Sequence, residues 1–249
     1  MKENRSKIVL NEPMGEDAYR LRFEVDWNAY DPGQFVMVSI PGNEVFLRRP
    51  FGIAGLSDGV AEICYKVVGK GTCALTDARS GMAIDVTGPC GKGFSKPAKE
   101  NTAVLVAGGY GIGPMMGMYK VLGEGSVVYY GAKSKDDLLY VDELKSLGAK
   151  IVLATEDGSE GISGFITDAL ANDIDDIASP ALYACGPHGM LAAVAKLGLA
   201  KGIATEVSME EYMACGIGVC MGCVCEKAGG GLARTCKDGP VFEAKELKW

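Results

Sequence analysis

The sequence is poor in several features that mark common classes of protein. It contains one histidine, no block of lysine and arginine, and no long apolar run. The formal net charge of −7, without a basic block, argues against nucleic acid as a partner. No apolar N-terminal segment of the signal-peptide type is present, so we expect a cytoplasmic protein that does not enter a membrane.

Cysteine and glycine are abundant by contrast, with nine cysteines and 35 glycines in 249 residues. Without a secretory signal, this cysteine content favours a reducing compartment and metal binding over a disulfide framework. Four cysteines follow the pattern C-x4-C-x2-C, then twelve residues, then C, which is the plant-type spacing for a [2Fe–2S] cluster. These four are Cys215, Cys220, Cys223 and Cys236. Glycines at 216, 218 and 222 give the loop the backbone freedom to wrap a cluster closely.

A structural zinc site and a set of disulfides are the alternatives for these cysteines. Zinc ribbons usually have two C-x2-C pairs, whereas only Cys220 and Cys223 form one here. We therefore favour the cluster, and we interpret Cys225, which lies outside the pattern, as a bystander. An iron–sulfur centre transfers single electrons, so other parts of the chain should show where electrons enter and leave.

Residues 1–97 have the pattern of an all-β domain. Tyr19 to Val25 alternates apolar and charged residues, as a half-buried strand does. Further strands are predicted at 6–10, 34–40, 61–68 and 82–86, with turn formers between them, and one helix over 72–80. Several strands at this spacing predict a small closed barrel or a sandwich.

Two features of this region suggest a phosphate-bearing ligand. Arg48 and Arg49 stand together before a strand, and guanidinium groups match the geometry of phosphate oxygens. Gly71 and Thr72 open the predicted helix, where free amides favour an anion. A solvated pair of arginines and an ordinary glycine turn with a threonine cap are the alternatives.

Residues 98–205 change to alternating strands and helices, which predicts a parallel, doubly wound sheet. Strands are expected at 102–107, 126–130, 150–154, 180–184 and 206–209, and helices at 115–122, 135–147, 164–171 and from the loop at 185–190 to about 201. The glycine-rich loop after the first strand could approach a dinucleotide diphosphate. His188 lies in a loop after a predicted strand, and we interpret it as a polar loop residue without a catalytic role.

The chain resembles the electron-transfer subunits of class B dihydroorotate dehydrogenase, within the ferredoxin–NADP reductase-like superfamily. The resemblance covers essentially the full length. It rests on the motifs Arg49-Pro-Phe-Gly52, Gly71-Thr72, Gly88-Pro89 with Gly91 and Gly93-Phe94, Ala107-Gly-Gly109 with Gly111-Ile-Gly-Pro114, Ala184-Cys-Gly-Pro187 and Met213-Ala-Cys215 to Cys220. The cluster loop, placed after the nucleotide domain, distinguishes this family within the superfamily.

The resemblance implies a β barrel plus an α/β domain: an FAD-binding Greek-key β-barrel domain at 1–97, a doubly wound NAD-binding domain at 98–205 and a small [2Fe–2S] domain at 206–249. FAD would contact Arg49, Pro50, Phe51, Gly52, Cys64, Tyr65, Lys66, Gly71 and Thr72. NAD would contact Gly109, Gly111, Gly113, Pro114, Cys185, Gly186 and Pro187. The family usually has serine or threonine where Gly52 stands, and no catalytic residue is assigned.

The implied function is electron transfer in pyrimidine biosynthesis. Electrons would pass from the FMN of a separate dihydroorotate-oxidising catalytic subunit, through the cluster and FAD, to NAD, in a heterotetramer with two copies of each subunit. Apolar residues around the cysteines, Met213, Ile217, Val219 and Met221, would either pack on that partner or cover the cluster within the chain. Two alternatives are a flavin subunit of a cytosolic hydrogenase or ferredoxin–NADP oxidoreductase, and a zinc-stabilised binding module without redox activity.

Overall fold

A computed structural model describes residues 2–40 and 45–249. The N-terminal part is a closed antiparallel barrel in the order β1-β2-β5-β4-β3-β6, with helix α1 between β5 and β6. The elements are β1 (Lys2–Pro13), β2 (Ala18–Glu24), β3 (Phe35–Ser39), β4 (Arg49–Ser57), β5 (Val60–Lys66), α1 (Lys70–Thr76) and β6 (Ala83–Cys90).

The barrel strands form because one set of alternate side chains is buried inside. In β2, Leu21 and Phe23 are fully buried, whereas Arg20 and Arg22 point away from the core. The interior also contains Ile8, Ile53, Ile63, Tyr65 and Ile84. Helix α1 adds Leu75 to this core, and the helix predicted over 72–80 is found earlier, at Lys70–Thr76.

The second part is a seven-stranded sheet in the order β10-β9-β8-β7-β11-β12-β15, parallel throughout except for β15. Its elements are β7 (Thr102–Gly108), α2 (Ile112–Leu122), β8 (Val127–Ala132), α3 (Val141–Ser146), β9 (Lys150–Thr155), β10 (Ile162–Ser163), α4 (Ile166–Asp173), β11 (Pro180–Cys185), α5 (His188–Lys201) and β12 (Thr205–Ser208). The remaining strands are β13 (Val224–Glu226), β14 (Leu232–Arg234) and β15 (Val241–Glu243).

The central strand β7 is buried on both faces, which explains its uninterrupted apolar sequence. Leu105 packs with residues of α2 in one core, and Val104 and Val106 pack with residues of α4 and α5 in another. The predicted fold, a barrel followed by an α/β layer, is therefore confirmed. Within the described ranges, the structure contains no helix that is both long and apolar enough to span a membrane.

The helix predicted over 135–147 is broken in the structure. A 3-10 turn at Lys135–Asp137 precedes an extended Leu138, Tyr140 has a positive φ of 61°, and α3 begins only at Val141. The Tyr130 hydroxyl donates to the carbonyl of Asp137 and accepts from the Leu139 amide. These bonds to the core oppose a continuous helix in this segment.

The C-terminal region returns to the α/β sheet. Strands β13 and β14 form a separate two-stranded ribbon beside the cysteines, but β15 pairs antiparallel with β12 at the edge of the large sheet. Val241 and Phe242 of β15 are buried there. The cysteine-containing segment therefore begins and ends at β12 and β15, two paired strands of one sheet that are far apart in the sequence.

Candidate functional site

A cleft at the barrel surface brings together two of the predicted FAD-binding motifs. It is lined by Arg49, Phe51, Gly71, Leu75 and neighbouring residues of β3. A β-carbon added at Gly71 would lie 3.0 Å from Arg49 Nε, so only a glycine lets the guanidinium approach the start of α1 this closely. The space that a side chain at Gly71 would fill lies beside an arginine, and this arrangement suits a diphosphate group.

The two adjacent arginines have different surroundings. Arg48 donates hydrogen bonds to the Thr87 hydroxyl and the Glu3 carboxylate. Arg49 donates to the carbonyl of Leu47 and otherwise faces the cleft. The structure therefore leaves Arg49, rather than Arg48, next to Gly71.

Thr72 stabilises the beginning of α1. Its hydroxyl accepts hydrogen bonds from the amides of Val68 and Gly69, at 2.9 and 3.2 Å, and donates to the Gly69 carbonyl at 3.1 Å. The side chain is buried, so it fixes the loop that carries Gly71 beside Arg49.

Strand β4 contacts the α/β domain through its other face. A β-carbon at Gly52 would lie 2.6 Å from Pro114 Cγ, and one at Gly113 would contact the side chains of Ala54 and Cys64 at 3.8 Å. Pro50 shares the outward-facing side of β4 with Gly52, since alternate residues point to the same face of a strand. Predicted FAD and NAD residues thus meet where α2 begins.

The predicted residues of β5 have different positions. Tyr65 is fully buried in the barrel, where it stacks on Tyr19 and donates to the Asn11 side chain at 3.1 Å. Lys66 lies at the domain junction, 3.0 Å from Asp17 and 5.4 Å from the centre of the Tyr110 ring. Lys66 is therefore beside the predicted nucleotide loop.

The two predicted NAD-binding loops touch each other. A β-carbon at Gly111 would overlap the Cys185 carbonyl, and one at Gly186 would lie 2.9 Å from Gly108 Cα. Gly109 has a positive φ of 51° and open space where a side chain would be. These glycines allow the carboxyl ends of β7 and β11 to form one edge, the usual ligand position in such sheets.

Cys185 ends β11 at this edge. Burial of its thiol raises its pKa to about 12, although a hydrogen bond with Ser208 acts in the opposite direction. Cys185 is therefore a protonated thiol at neutral pH, suited to packing against a ring and not to nucleophilic attack. His188 is the first residue of α5, and its ring lies 6.0 Å from that of Trp249.

The cysteine loop, residues 215–223, has an exposed and a buried side. Cys220 is exposed and Cys215 is partly exposed, whereas Cys223 is buried together with Cys236. None of the nine cysteines is joined to another by a disulfide. Gly216 and Gly218 have φ values of +67° and +84°, as the sequence interpretation required of a tightly wrapped loop.

Backbone amides converge on the sulfur of Cys215. Burial alone would raise its pKa, but hydrogen bonds from the amides of Ile217, Cys220 and Val219 outweigh that effect and lower the pKa to about 6. A sulfur that accepts several amides is stabilised as a thiolate, the form that binds iron. In the same way, the Cys236 amide points at the sulfur of Cys223, at 3.4 Å.

This donor set fits an iron–sulfur cluster. A [2Fe–2S] cluster needs only two thiolates at each iron, provided by four cysteines in all. Cys225 is buried in the core against the Ala233 carbonyl, which accords with its interpretation as a bystander.

Strand β3 connects the cysteines with the strand that carries the FAD motif. Phe35 and Met37 pack with Cys223 and Cys236. The same two residues are the register partners of Gly52 and Pro50 in β4. A β-carbon at Gly216 would lie 2.6 Å from the Met37 side chain. One hydrogen-bonded strand therefore separates the proposed flavin strand from the proposed cluster ligands.

Sequence reasoning missed a polar network that joins the barrel to the α/β domain. Tyr140 donates to the buried carboxylate of Glu62 at 2.9 Å, and Arg20 lies 4.9 Å above the Tyr140 ring. Arg20 also donates to Glu143 at 2.7 Å, which pairs with Lys120 at 3.2 Å. The contacts of Arg20 and Glu62 with residues of the α/β domain join positions 78 to 123 apart and carry no sequence signal. Only the stretch from Tyr19 to Val25, where Arg20 appeared as an outward residue, gave a hint.

The fold and site define a class of protein, a reductase of the ferredoxin–NADP reductase type with an added iron–sulfur segment. Among solved structures, the NADH-dependent reduced ferredoxin-NADP oxidoreductase is similar, with a TM-score of 0.87 and 29% identity, covering 99% of this chain and 90% of that chain. The cytochrome b5 reductase domain of Ulva prolifera nitrate reductase, at 18% identity and a TM-score of 0.67, covers 83% of this chain and 97% of that chain, and it shows the fold alone.

Family comparisons are more specific. The iron-sulfur cluster binding domain of dihydroorotate dehydrogenase B matches residues 210–248, and the oxidoreductase NAD-binding domain matches residues 105–196. Similar curated proteins include the dihydroorotate dehydrogenase B (NAD(+)) electron transfer subunits of Listeria monocytogenes (strain EGD-e), 38% identical over 100% of both chains, and of Caldanaerobacter subterraneus subsp. tengcongensis, 33% identical over 98% of this chain and 97% of that protein. The chain belongs to this family of electron transfer subunits.

Family membership confirms several sequence predictions. The family and the domain matches confirm the resemblance, the oxidoreductase class and the cofactor set of FAD, a [2Fe–2S] cluster and NAD. As an electron transfer subunit, the chain has a catalytic subunit as its partner. The individual binding residues and the three domain boundaries stay predictions.

Proposed function

We propose that this chain carries electrons between NAD and the FMN of a separate subunit that oxidises dihydroorotate. When bound, FAD would supply hydride exchange with nicotinamide and single-electron exchange with the [2Fe–2S] cluster, and the residues of this chain would hold these groups in order. The observation that carries the proposal is β3, whose residues Phe35 and Met37 pack on Cys223 and Cys236 while pairing with the FAD-motif strand.

The residue assignments of the proposal follow the geometry. Arg49 and Gly71 hold the FAD diphosphate, and Gly52, Cys64 and Lys66 border the flavin at the domain junction. The touching loops Gly109–Pro114 and Cys185–Pro187 take the nicotinamide nucleotide. Cys215, Cys220, Cys223 and Cys236 hold the cluster. The division into domains at 1–97, 98–205 and 206–249 belongs to the same proposal, as does a cytoplasmic location, which nine cysteines without a disulfide favour.

The redox assignment has a direct test with anaerobically purified full-length protein. We expect iron and sulfide in equal amounts, and bleaching of the flavin absorbance on addition of NADH. Replacement of Cys236 by serine should remove iron and sulfide and leave the FAD content unchanged. A preparation that contains zinc in place of iron and sulfide would instead support the binding-module alternative.

The partner surface of the proposal surrounds the exposed side of the cysteine loop. Ile217, Val219 and Met221 are 42%, 74% and 50% exposed, and Tyr212 nearby is 95% exposed. Met213, by contrast, packs inward on Phe35, Met37 and the buried cysteines. Each of the two alternatives therefore applies to some of these apolar residues. Met213 covers the cysteines within the chain, whereas Ile217, Val219 and Met221 are free to contact the FMN subunit in a heterotetramer.

Replacement of Ile217 by aspartate tests this surface. A buried carboxylate would weaken association with the FMN subunit by about tenfold or more, because an unpaired charge is unfavourable in an apolar interface. Gel filtration of the two co-expressed subunits measures the effect. Ile162, 48% exposed at the sheet edge in β10, provides the matched control, since Ile162→Asp should leave the complex intact. An Ile217→Asp complex that elutes like wild type would refute the proposed surface.

The second candidate function keeps the cofactors and changes the partner. It is favoured by one observation, the similarity to the NADH-dependent reduced ferredoxin-NADP oxidoreductase over 99% of this chain. Purification from the native cell distinguishes the candidates. Copurification with an FMN protein that oxidises dihydroorotate supports the first, and copurification with a ferredoxin-oxidising flavoprotein supports the second.

A further inference from the structure

Arg234 lies in β14, two residues before Cys236, and its guanidinium contacts two separate segments. Nη1 donates to the carbonyl of Gly218, inside the cysteine loop, at 3.1 Å. Nε and Nη2 each donate to a carboxylate oxygen of Asp238, at 2.9 Å. One side chain therefore connects the loop that carries three of the cysteines with the turn that carries the fourth.

The turn itself is closed around the same residue. The Arg234 amide donates to the Asp238 carboxylate at 2.9 Å, and the Arg234 carbonyl accepts from the amides of Lys237 and Asp238 at 3.0 and 2.7 Å. A β-carbon at Gly218 would lie 2.8 Å from Lys237 Cβ, so the cysteine loop lies directly on this turn. The guanidinium is placed where the two segments meet.

An isolated surface ion pair between residues i and i+4 would contribute little to stability. Arg234 differs because its third contact is to a main-chain carbonyl of another segment, and because its side chain is only 35% exposed. The planar fork allows one residue to hold both partners at fixed angles, which the point charge of a lysine does not.

We propose that Arg234 is a positioning residue for the cluster, which holds the cysteine loop against the turn of Cys236. All four thiolates must keep their mutual spacing to retain two irons, so this contact limits the loss of iron. A reduced cluster also carries one more negative charge than the oxidised one, so loss of the Arg234 cation, which leaves the Asp238 carboxylate unpaired, would disfavour the reduced state. This inference rests on the proposed ligands, Cys215, Cys220, Cys223 and Cys236.

The test compares Arg234→Ala and Arg234→Lys in the full chain, purified anaerobically with FAD and cluster bound. The measurements are the rate of iron release to a ferrous chelator, the electron paramagnetic resonance spectrum of the reduced cluster and its midpoint potential. We expect several-fold faster iron release and a broadened spectrum in both variants, and a lower midpoint potential in Arg234→Ala. Arg234→Lys should restore the potential in part but not the retention of iron.

Lys248→Ala is the matched control. It removes an ion pair with Glu226, at 2.5 Å, from the same region without touching the cysteine loop, and it should retain iron like wild type. The FAD content of each variant reports whether the remainder of the chain is folded. If Arg234→Ala does not bind FAD, the comparison of iron release between Arg234→Lys and wild type tests the proposal instead.

Two results would overturn the proposal: iron release and spectra that match wild type in the Arg234 variants, or full recovery of iron retention in Arg234→Lys. Failure of the ligand assignment would give a different experimental result. It would appear as Cys236→Ser protein that keeps wild-type iron and sulfide, whatever the Arg234 variants do.

Discussion

Neighbouring residues of the same type have separate tasks in this chain. Arg48 is held by Glu3 and Thr87, whereas Arg49 faces the cleft beside Gly71. The residue pattern predicts the pair as a phosphate site, and only the family resemblance selects Arg49, because the contacts of Arg48 come from strands 39 and 45 residues away. The spacing of the cysteines alone predicts them as cluster ligands, yet the burial of Cys223 and the exposure of Cys220 depend on how β3 packs.

Arg49→Ala should weaken FAD binding by about tenfold to a hundredfold, because a charge-assisted contact with phosphate contributes about 1.5–3 kcal/mol. Fluorescence titration of the apoprotein with FAD measures the dissociation constant. Arg48→Ala is the control and should bind FAD within about twofold of wild type. Equal losses in the two variants would contradict the assignment of the cleft.

Gly52→Ala should destabilise the protein by about 1–3 kcal/mol, since the added carbon would lie 2.6 Å from Pro114 and force α2 away from β4. The free energy of unfolding in urea provides the measurement. Gly125→Ala adds the same carbon where nothing lies within 4 Å, and it should be neutral or slightly stabilising. A neutral Gly52→Ala would show that the junction has room for a side chain.

Strands and helices were predicted best where the pattern of apolar residues extends over many positions. The barrel strands, the apolar β7 and helix α5 agree with the pattern of apolar residues, because burial of one or both faces determines each of them. The prediction of a continuous helix over 135–147 was wrong, because Tyr130 and Tyr140 form hydrogen bonds with partners outside their own segments. Strands β13, β14 and β15 have only three residues each, too few to show a period.

Tyr140→Phe tests how these elements hold the barrel and the α/β sheet together. Loss of its hydrogen bond leaves the buried Glu62 with one partner fewer, and we expect a loss of about 1–3 kcal/mol in unfolding free energy together with weaker FAD binding. Tyr129→Phe removes a similar bond, to Asp173 at 3.0 Å, entirely within the α/β domain. That control should lose some stability but bind FAD normally. Unaltered FAD affinity in Tyr140→Phe would exclude a role for the network in shaping the junction.

Buried tyrosines give the whole molecule a common response to alkali. Burial, assisted by Glu62, raises the pKa of Tyr30 from 10.0 to about 12, and burial with a hydrogen bond to Asp173 does the same for Tyr129. Burial and Glu62 also raise the pKa of Tyr140 far above 10.0. Below pH 10 folded and unfolded chains hold these protons equally, so the full stability is present.

Above pH 10 the unfolded chain loses phenolic protons that the folded chain keeps, and unfolding becomes more favourable by about 1.4 kcal/mol per pH unit for each such tyrosine. We therefore expect the urea midpoint to fall steeply between pH 10 and 12. Absorbance at 295 nm should show these phenols ionising together with unfolding. Ionisation of all phenols near pH 10 in a protein that remains folded would contradict the expectation.

The pairing of β15 with β12 also determines the order of events during synthesis. A ribosome makes Val241–Glu243 after every cysteine from 215 to 236, so the edge of the nucleotide-binding sheet is completed only once the thiols have emerged. Because the cysteine-containing segment lies between β12 and β15 in the chain, we expect a chain in which that segment is unfolded to leave this sheet edge open to proteases, which limited proteolysis of iron-free protein would measure.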